Sequence, residues 1–330
     1  MTGENRGPRR SAAGPDVATI GEALLRLSVR PGDRLEDAAA YEVHVAGSEA
    51  NVAYALARVG VSSSWTSVLP DSPLGRRVAV TLASGGVDVS TIVWRDNGRI
   101  ATYFVELGSA PRPTAVVYDR AGSAMSSATP DEFDWDVVCR SRLLHLSGIT
   151  CALSDGCAAI VERAISEARR HSCRVSLDVN YRQRLWTAEA ASRSLRAIAP
   201  NVDLLISTAE DARDLFGVSG APAEAVARFA DHLGVPSAVL TLGAEGAVAF
   251  HEGSVQARPG YLVEPVDRIG AGDAFTAGLL WGVLEGSIAA GLERGLAMSA
   301  LKMTLHGDLF RFDAAEVLAL IARHTREVRR

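Results

Sequence analysis

No apolar run in this chain approaches the ~20 residues that a membrane-spanning helix requires, and the opening MTGENRGPRRSAAGP has no apolar signal core. That opening is polar and rich in Gly, Pro and Arg, so residues 1–15 are expected to form a disordered tail outside the fold. Cysteine is sparse: Cys139, Cys151, Cys157 and Cys173 make neither a Cys-x-x-Cys pair nor a Cys/His cluster. This argues against a zinc module or a disulfide scaffold and for free thiols in a reducing compartment, the cytoplasm. A basic stripe is also missing. The net charge of −5 and pI near 5.8 speak against nucleic-acid and anionic-membrane partners. Finally, the chain has no G-x-x-x-x-G-K-[ST], and no G-x-G-x-x-G follows its first strand. The first absence removes a Walker-type P-loop and the second weakens a dehydrogenase.

With 330 residues and 48% hydrophobic composition, the chain can bury a large core. Short β-branched runs alternate with helix-forming stretches. Strands are expected at 16–20, 64–69, 143–146, 175–177, 204–206 and 238–242, with a hairpin into 247–250. Helices are expected at 51–60, 74–84, 154–170, 188–199 and 223–233. This alternation predicts an α/β fold: a mostly parallel central sheet between two helical layers, from residue 16 to 330. Two stretches break the beat, about 26–45 and about 92–120, where β-prone segments such as TYFVEL and TAVVYD have no helix between them. They are expected to pair into a small β-sheet lid over the strand C-termini, where open α/β sheets bind ligands.

The strongest chemical signal is DRIGAGDAFTAGLLWG, residues 267–282. Gly270, Ala271 and Gly272 let the backbone approach an anion closely. The helix that follows leaves its first N–H groups unpaired toward that turn, making a nest for developing negative charge. Asp273 stands at its mouth and could take the proton of an attacking hydroxyl. Read alone, the segment could equally be a glycine-rich turn with an acidic helix start.

GAGDAFTAG resembles the signature of the ribokinase-like (PfkB) carbohydrate kinases. Thr241–Gly246 (TLGAEG) resembles that family's second nucleotide loop, and Ala46–Gly60 (AGSEANVAYALARVG) its sugar-binding motif. The three come in the family's order across roughly residues 16–320. The resemblance implies a three-layer ribokinase-like body with ATP and Mg2+ as cofactors. Asp273 would be the base, and Gly270, Ala271 and Gly272 the anion hole. Asn180, Arg182, Thr241, Gly243, Glu245, Gly246, Gly270 and Gly272 would lie along ATP. Glu210 would organise magnesium through water, since the family's Asn-x-x-Glu reads here as Ser207-Thr208-Ala209-Glu210. Asp267 would lie beside a monovalent cation such as K+.

Three further segments, DVNYRQRLW (178–186), VYDRAGSAMS (117–126) and HLSGIT (145–150), resemble 2-keto-3-deoxygluconate kinases. The implied substrate is a keto sugar acid phosphorylated at O6. Its carboxylate would be read by Tyr103, Tyr118 and Arg120 from the lid and by Arg182 from the body, which would also act in catalysis. Gly47, Ser48 and Asn51 would bind hydroxyls, Asp308 would close the pocket beside Asp273, and Tyr181 and Trp186 would be supports. The family's habits also imply a homodimer through the lid. Departures from its pattern are Ala46, Asp119, Ser207 and Arg268. A kinase of a neutral sugar or nucleoside, and a non-catalytic sugar or nucleotide sensor, are the rival readings.

Overall fold

A computed structural model of the chain describes residues 14–108 and 111–328. Most of the expected 1–15 tail therefore lies outside the described residues. Fourteen strands are present: β1 (Val17–Ile20), β2 (Leu24–Ser28), β3 (Glu42–Ala46), β4 (Ser63–Thr66), β5 (Val68–Pro70), β6 (Val93–Arg95), β7 (Ala101–Glu106), β8 (Ala115–Asp119), β9 (Leu143–Ser147), β10 (Arg174–Asp178), β11 (Leu204–Thr208), β12 (Ser237–Thr241), β13 (Ala247–His251) and β14 (Ser254–Arg258). Eight form the central sheet in the order β14-β13-β12-β11-β10-β9-β1-β4. The pairs from β4 to β12 are parallel, and β12-β13-β14 is an antiparallel meander. Every residue of β1 and β9 is buried, which is why these strands are largely apolar and show no alternation: helices cover both faces. One face carries the helices around Ile160, Val161, Leu195 and Phe229. The other carries those around Val52, Leu56, Leu280 and Leu292.

The expected strand 64–69 divides. β4 stays in the central sheet, while β5 leaves it to pair with β6. The divide falls at Ser67, whose carbonyl accepts from Val93 N at 2.9 Å. The second excursion therefore contributes less to the accessory sheet than expected, because 93–95 belongs to this separate ribbon. The accessory sheet runs β3-β2-β7-β8, so its bounds are 24–28, 42–46, 101–106 and 115–119 rather than 26–45 and 92–120. Its two hairpin pairs are antiparallel and joined by a parallel β2–β7 pair. β8 is an edge, with Val117 and Tyr118 exposed.

Local sequence explains the helix starts near the site. The helix expected from Asn51 begins at Ser48, directly after Gly47, whose φ is 142°. A Cβ there would come within 2.4 Å of the Glu22 carbonyl, so only glycine serves. Pro73 opens the next helix behind Ser72, which accepts from Gly75 N at 3.2 Å, the usual pairing of an N-cap with proline at N1. Ser154 caps its helix as expected. All four cysteines are free thiols.

Candidate active site

The helix Ala271–Leu284 starts from Gly270, whose φ is 87° and whose absent side chain lets the Asp308 carbonyl approach: a Cβ would meet it at 2.3 Å. Ala274 N makes the first bond into the helix, to Gly270 O at 3.0 Å, and Ala271 N is already donated to Arg268 O at 3.2 Å. The anion hole expected from Gly270, Ala271 and Gly272 is thus shifted by one residue. The free donors of the first turn are the N–H groups of Gly272 and Asp273. A Cβ on Gly272 would touch nothing within 4 Å.

Asp273 lies half-buried on a cavity of about 520 Å3. Ser48 Oγ donates to its Oδ1 at 2.9 Å, and Asn51 Nδ2 donates to its Oδ2 at 2.7 Å. Burial raises its pKa; these two bonds and the charge of Arg182 oppose the rise. Asn180 lines the same cavity and donates to Ser48 Oγ at 2.9 Å. It can do so because it adopts φ 40°, tolerable for Asn, with its N–H on Asp178 Oδ1 at 3.0 Å. Asn180, Ser48, Asn51 and Asp273 therefore form one chain of hydrogen bonds that fixes the carboxylate. No donor among the described residues reaches the buried Asn51 Oδ1.

The cavity holds two carboxylates that sequence reasoning missed. Asp178 is pushed up to about 7 by burial and then by the charge of Asp273, with Arg182 opposing. Asp211 is raised by burial. Glu210 is 76% exposed and points to a neighbouring cavity, near Arg213. Thr208 accepts from Asp211 N at 2.9 Å. The polar-x-x-acid spacing that faces the cavity is thus Thr208 to Asp211, one residue after the expected one. Arg182 is exposed on the same cavity. Asp178, Asp211 and Asp273 around open space suit a hydrated divalent ion with its oxygen ligands.

Beneath this floor the expected pocket residues are tied to one another. Arg26 is fully buried, with Nη2 2.7 Å from Asp267 Oδ2 and Nη1 2.9 Å from Asp308 Oδ2. The Tyr103 hydroxyl donates to Asp308 Oδ1. Burial, reinforced by the Asp308 charge, holds the Tyr103 phenol well above its ordinary range. Neither Tyr103 nor Asp308 lines the cavity. Asp267 also accepts from Ile269 N and Gly307 N at 3.0 and 3.1 Å, and its carbonyl accepts from Lys302 Nζ at 3.1 Å. These partners do not fit K+ beside Asp267.

On the accessory sheet Tyr118 lines the cavity and stacks on Tyr103 at 5.5 Å. Arg120 lines an adjoining cavity of about 860 Å3 that it shares with Arg182, Tyr118 and Asp211. Its Nε and Nη2 both donate to the buried Glu22, at 2.9 and 2.5 Å, and Ser123 Oγ donates to the other Glu22 oxygen. Glu22 was not anticipated. Asp119 is more than half exposed and paired outward with Arg99, so its charge is compensated. On the far side of Gly272 a slot of about 340 Å3 is lined by Thr241, Gly243, Gly246, Tyr261, Phe275 and Leu296. Gly243 and Gly246 have φ of 62° and 113°. Glu245 forms no part of that lining. Tyr181 donates to the Trp186 carbonyl at 3.3 Å, consistent with a supporting role.

A mostly parallel α/β body with an accessory sheet at its strand C-termini, and a glycine-bounded helix start beside an oriented carboxylate, define a ribokinase-like small-molecule kinase. A family model described as pfkB family carbohydrate kinase matches residues 15–313, and the chain belongs to that family. It is similar to a 2-dehydro-3-deoxygalactonokinase of Haloferax volcanii, 38% identical, covering 89% of this chain and 92% of that protein. It also resembles a 2-dehydro-3-deoxygluconokinase of Thermoproteus tenax, 35% identical, with 92% and 93% covered. Among solved structures, a 2-dehydro-3-deoxygluconokinase of Thermotoga maritima superposes with a TM-score of 0.88 at 35% identity, covering 93% of this chain and 98% of that one.

Proposed function

We propose that the chain transfers the γ-phosphoryl of ATP to the primary hydroxyl (O6) of a 2-keto-3-deoxy sugar acid, the gluconate or its galactonate relative. The observation that carries this is Asp273, held by Ser48 and Asn51 beside Gly272, where the central cavity meets the slot. The slot beyond Gly272 suits the nucleoside, with Thr241, Gly243 and Gly246 along it. The N–H groups of Gly272 and Asp273 receive charge developing on the transferred group. Asp273 takes the proton of the attacking hydroxyl, while Asn51 Oδ1 is available to a second hydroxyl. Arg182 reaches both the acid and the phosphoryl group. Asp178 and Asp211 would hold Mg2+ through water, and the ion would supply positive charge that offsets the nucleotide phosphates.

The accessory sheet acts as a lid that excludes water. Its β8 edge, with Val117 exposed, is the surface for a homodimer. The free thiols favour the cytoplasm. K+ has no part in this reading.

A coupled ADP-release assay over sugar acids and neutral sugars tests it. Turnover is expected with 2-keto-3-deoxy acids, and Asp273→Asn should reduce it by about 10²–10⁴-fold with nucleotide binding kept. Equal turnover of fructose or ribose would overturn the acid assignment. Undiminished turnover in Asp273→Asn would overturn the mechanism.

A further inference from the structure

Of the 34 lysine and arginine residues in this chain, one is lysine, Lys302. It is not on the surface: its relative exposure is 0%. It ends the helix Ile288–Lys302, and its Nζ donates to the carbonyls of Asp267 at 3.1 Å and Leu305 at 3.4 Å.

Those two carbonyls belong to the two segments that frame the phosphate end of the site. Asp267 leads into Gly270 and the start of the catalytic helix. Leu305 leads into Gly307 and Asp308, whose backbone packs against Gly270. The same segments are joined by Val266 N and Asp267 N on Met303 O at 2.8 and 3.1 Å, and by Gly307 N on the Asp267 carboxylate. Arg26 joins the side chains of the two segments, Asp267 and Asp308, and Lys302 joins their backbone carbonyls.

One nitrogen on two carbonyl oxygens is the geometry of a point cation. A lysine ammonium is compact, with rotatable donors, whereas a guanidinium is a flat fork that needs acceptors in its plane. In a chain whose other basic side chains of this kind are all arginine, the single lysine stands where one nitrogen meets two backbone carbonyls. Burial lowers the pKa of the ammonium; the charges of Asp267, Asp308 and Asp273 oppose this, and Arg26 adds to it.

We propose that Lys302 is a positioning residue for phosphoryl transfer, a built-in monovalent cation that ties the turn before Gly270 to the loop behind it, so that the enzyme works without bound K+. The inference rests on the kinase reading above. The N–H groups of Gly272 and Asp273 must sit within tenths of an ångström of the transferring group to stabilise it, and Lys302 holds the backbone that aims them.

The test uses the full chain in choline, Li+, Na+, K+ or NH4+ at constant ionic strength and fixed Mg2+. Wild-type kcat is expected to vary less than about twofold, and Mg-ADP affinity by calorimetry to be the same in choline and K+. Lys302→Ala should lose about 10²-fold in kcat and regain at least about tenfold of it in NH4+ or K+ but not in Li+ or choline. A merely structural lysine would give no such size-selective rescue. Wild-type stimulation by K+ of tenfold or more would overturn the inference. So would a folded Lys302→Ala that keeps full activity, or one that no cation rescues. Should the variant fail to fold, the wild-type cation series decides alone. A wild type that phosphorylates none of the acceptors yet binds Mg-ADP equally in choline and K+ would refute the acceptor reading and leave Lys302 supported.

Discussion

Glu49 permits a prediction with a worked magnitude. It lies in the first turn of the helix Ser48–Arg58 and is fully buried. Its Oε1 accepts from Ser147 Oγ at 2.7 Å and Thr150 Oγ1 at 2.5 Å. Its carboxyl group packs so tightly on Gly21 that a Cβ there would come within 2.3 Å. Burial pushes its pKa from 4.5 up to about 7; the hydrogen bonds oppose this and the charge of Asp273 adds to it. A carboxyl whose folded value lies above its unfolded one contributes stability that is fully present below about 4.5 and lost as pH rises through about 7. At about 1.4 kcal/mol per tenfold, that gap corresponds to about 3 kcal/mol. Glu49→Gln keeps an oxygen for both hydroxyls and never ionises. In urea titrations the variant should match the wild type within about 1 kcal/mol at pH 5 and exceed it by about 2–3 kcal/mol at pH 8.5. Parallel stability curves across that range, or a variant less stable at pH 8.5, would refute the reasoning.

Arg182→Ala should raise KM for a sugar acid by about tenfold or more, the loss of one charge-assisted contact, and leave any residual neutral-sugar activity little changed; comparing the two substrates checks it. Asp211→Asn should raise the Mg2+ concentration for half-maximal rate several-fold, whereas Glu210→Gln should not, which a magnesium titration of both variants resolves. Gly270→Ala should lower both melting temperature and rate, because a side chain there is strained at φ 87° and meets the Asp308 carbonyl. Gly272→Ala should keep the melting temperature and lose rate, since its methyl group meets no neighbour within 4 Å and enters the open space where the proposed anion hole receives the phosphoryl group.

How far the sequence carried the reading depends on how local each feature is. The strands around β9 to β12 and the helix behind Ser154 announce themselves through short, mainly apolar runs and a capping residue, signals that lie within a dozen positions. The GAGD turn is equally local. The split at Ser67 is not, because it depends on β6 arriving from 26 residues downstream. The hydrogen bonds from Ser48 and Asn51 to Asp273 span 225 and 222 residues, and that from Arg120 to Glu22 spans 98; no periodicity encodes them. Asp211, the acid that faces the central cavity, was missed for a different reason. Glu210 and Asp211 are consecutive in one helical turn and so diverge by about 100° around the axis. A one-residue error in aligning the motif therefore chooses the wrong face.

The ion pairs also sort the arginines by task. Arg26 is held by Asp267 and Asp308, and Arg120 donates two of its nitrogens to Glu22. Withdrawing either would leave a buried carboxylate unpaired, at about 3–5 kcal/mol. Arg120 can therefore turn only its remaining Nη1 to a ligand, and its main duty is to fasten the end of β8 to Glu22, in the segment between β1 and β2. Among the described residues, Arg182 and Arg268 line the central cavity with no carboxylate within 4 Å. They share that cavity with Asp273, the proposed base. Arg182 shares the acceptor-side cavity with Arg120, and Arg268 shares the slot of Gly243 and Gly246. Both expected ligands are anionic, a sugar acid on one side and a nucleoside triphosphate on the other. A cleft whose uncommitted cations flank a carboxylate fits that pair of substrates better than it fits a neutral sugar, which would bring no charge for Arg182 to meet.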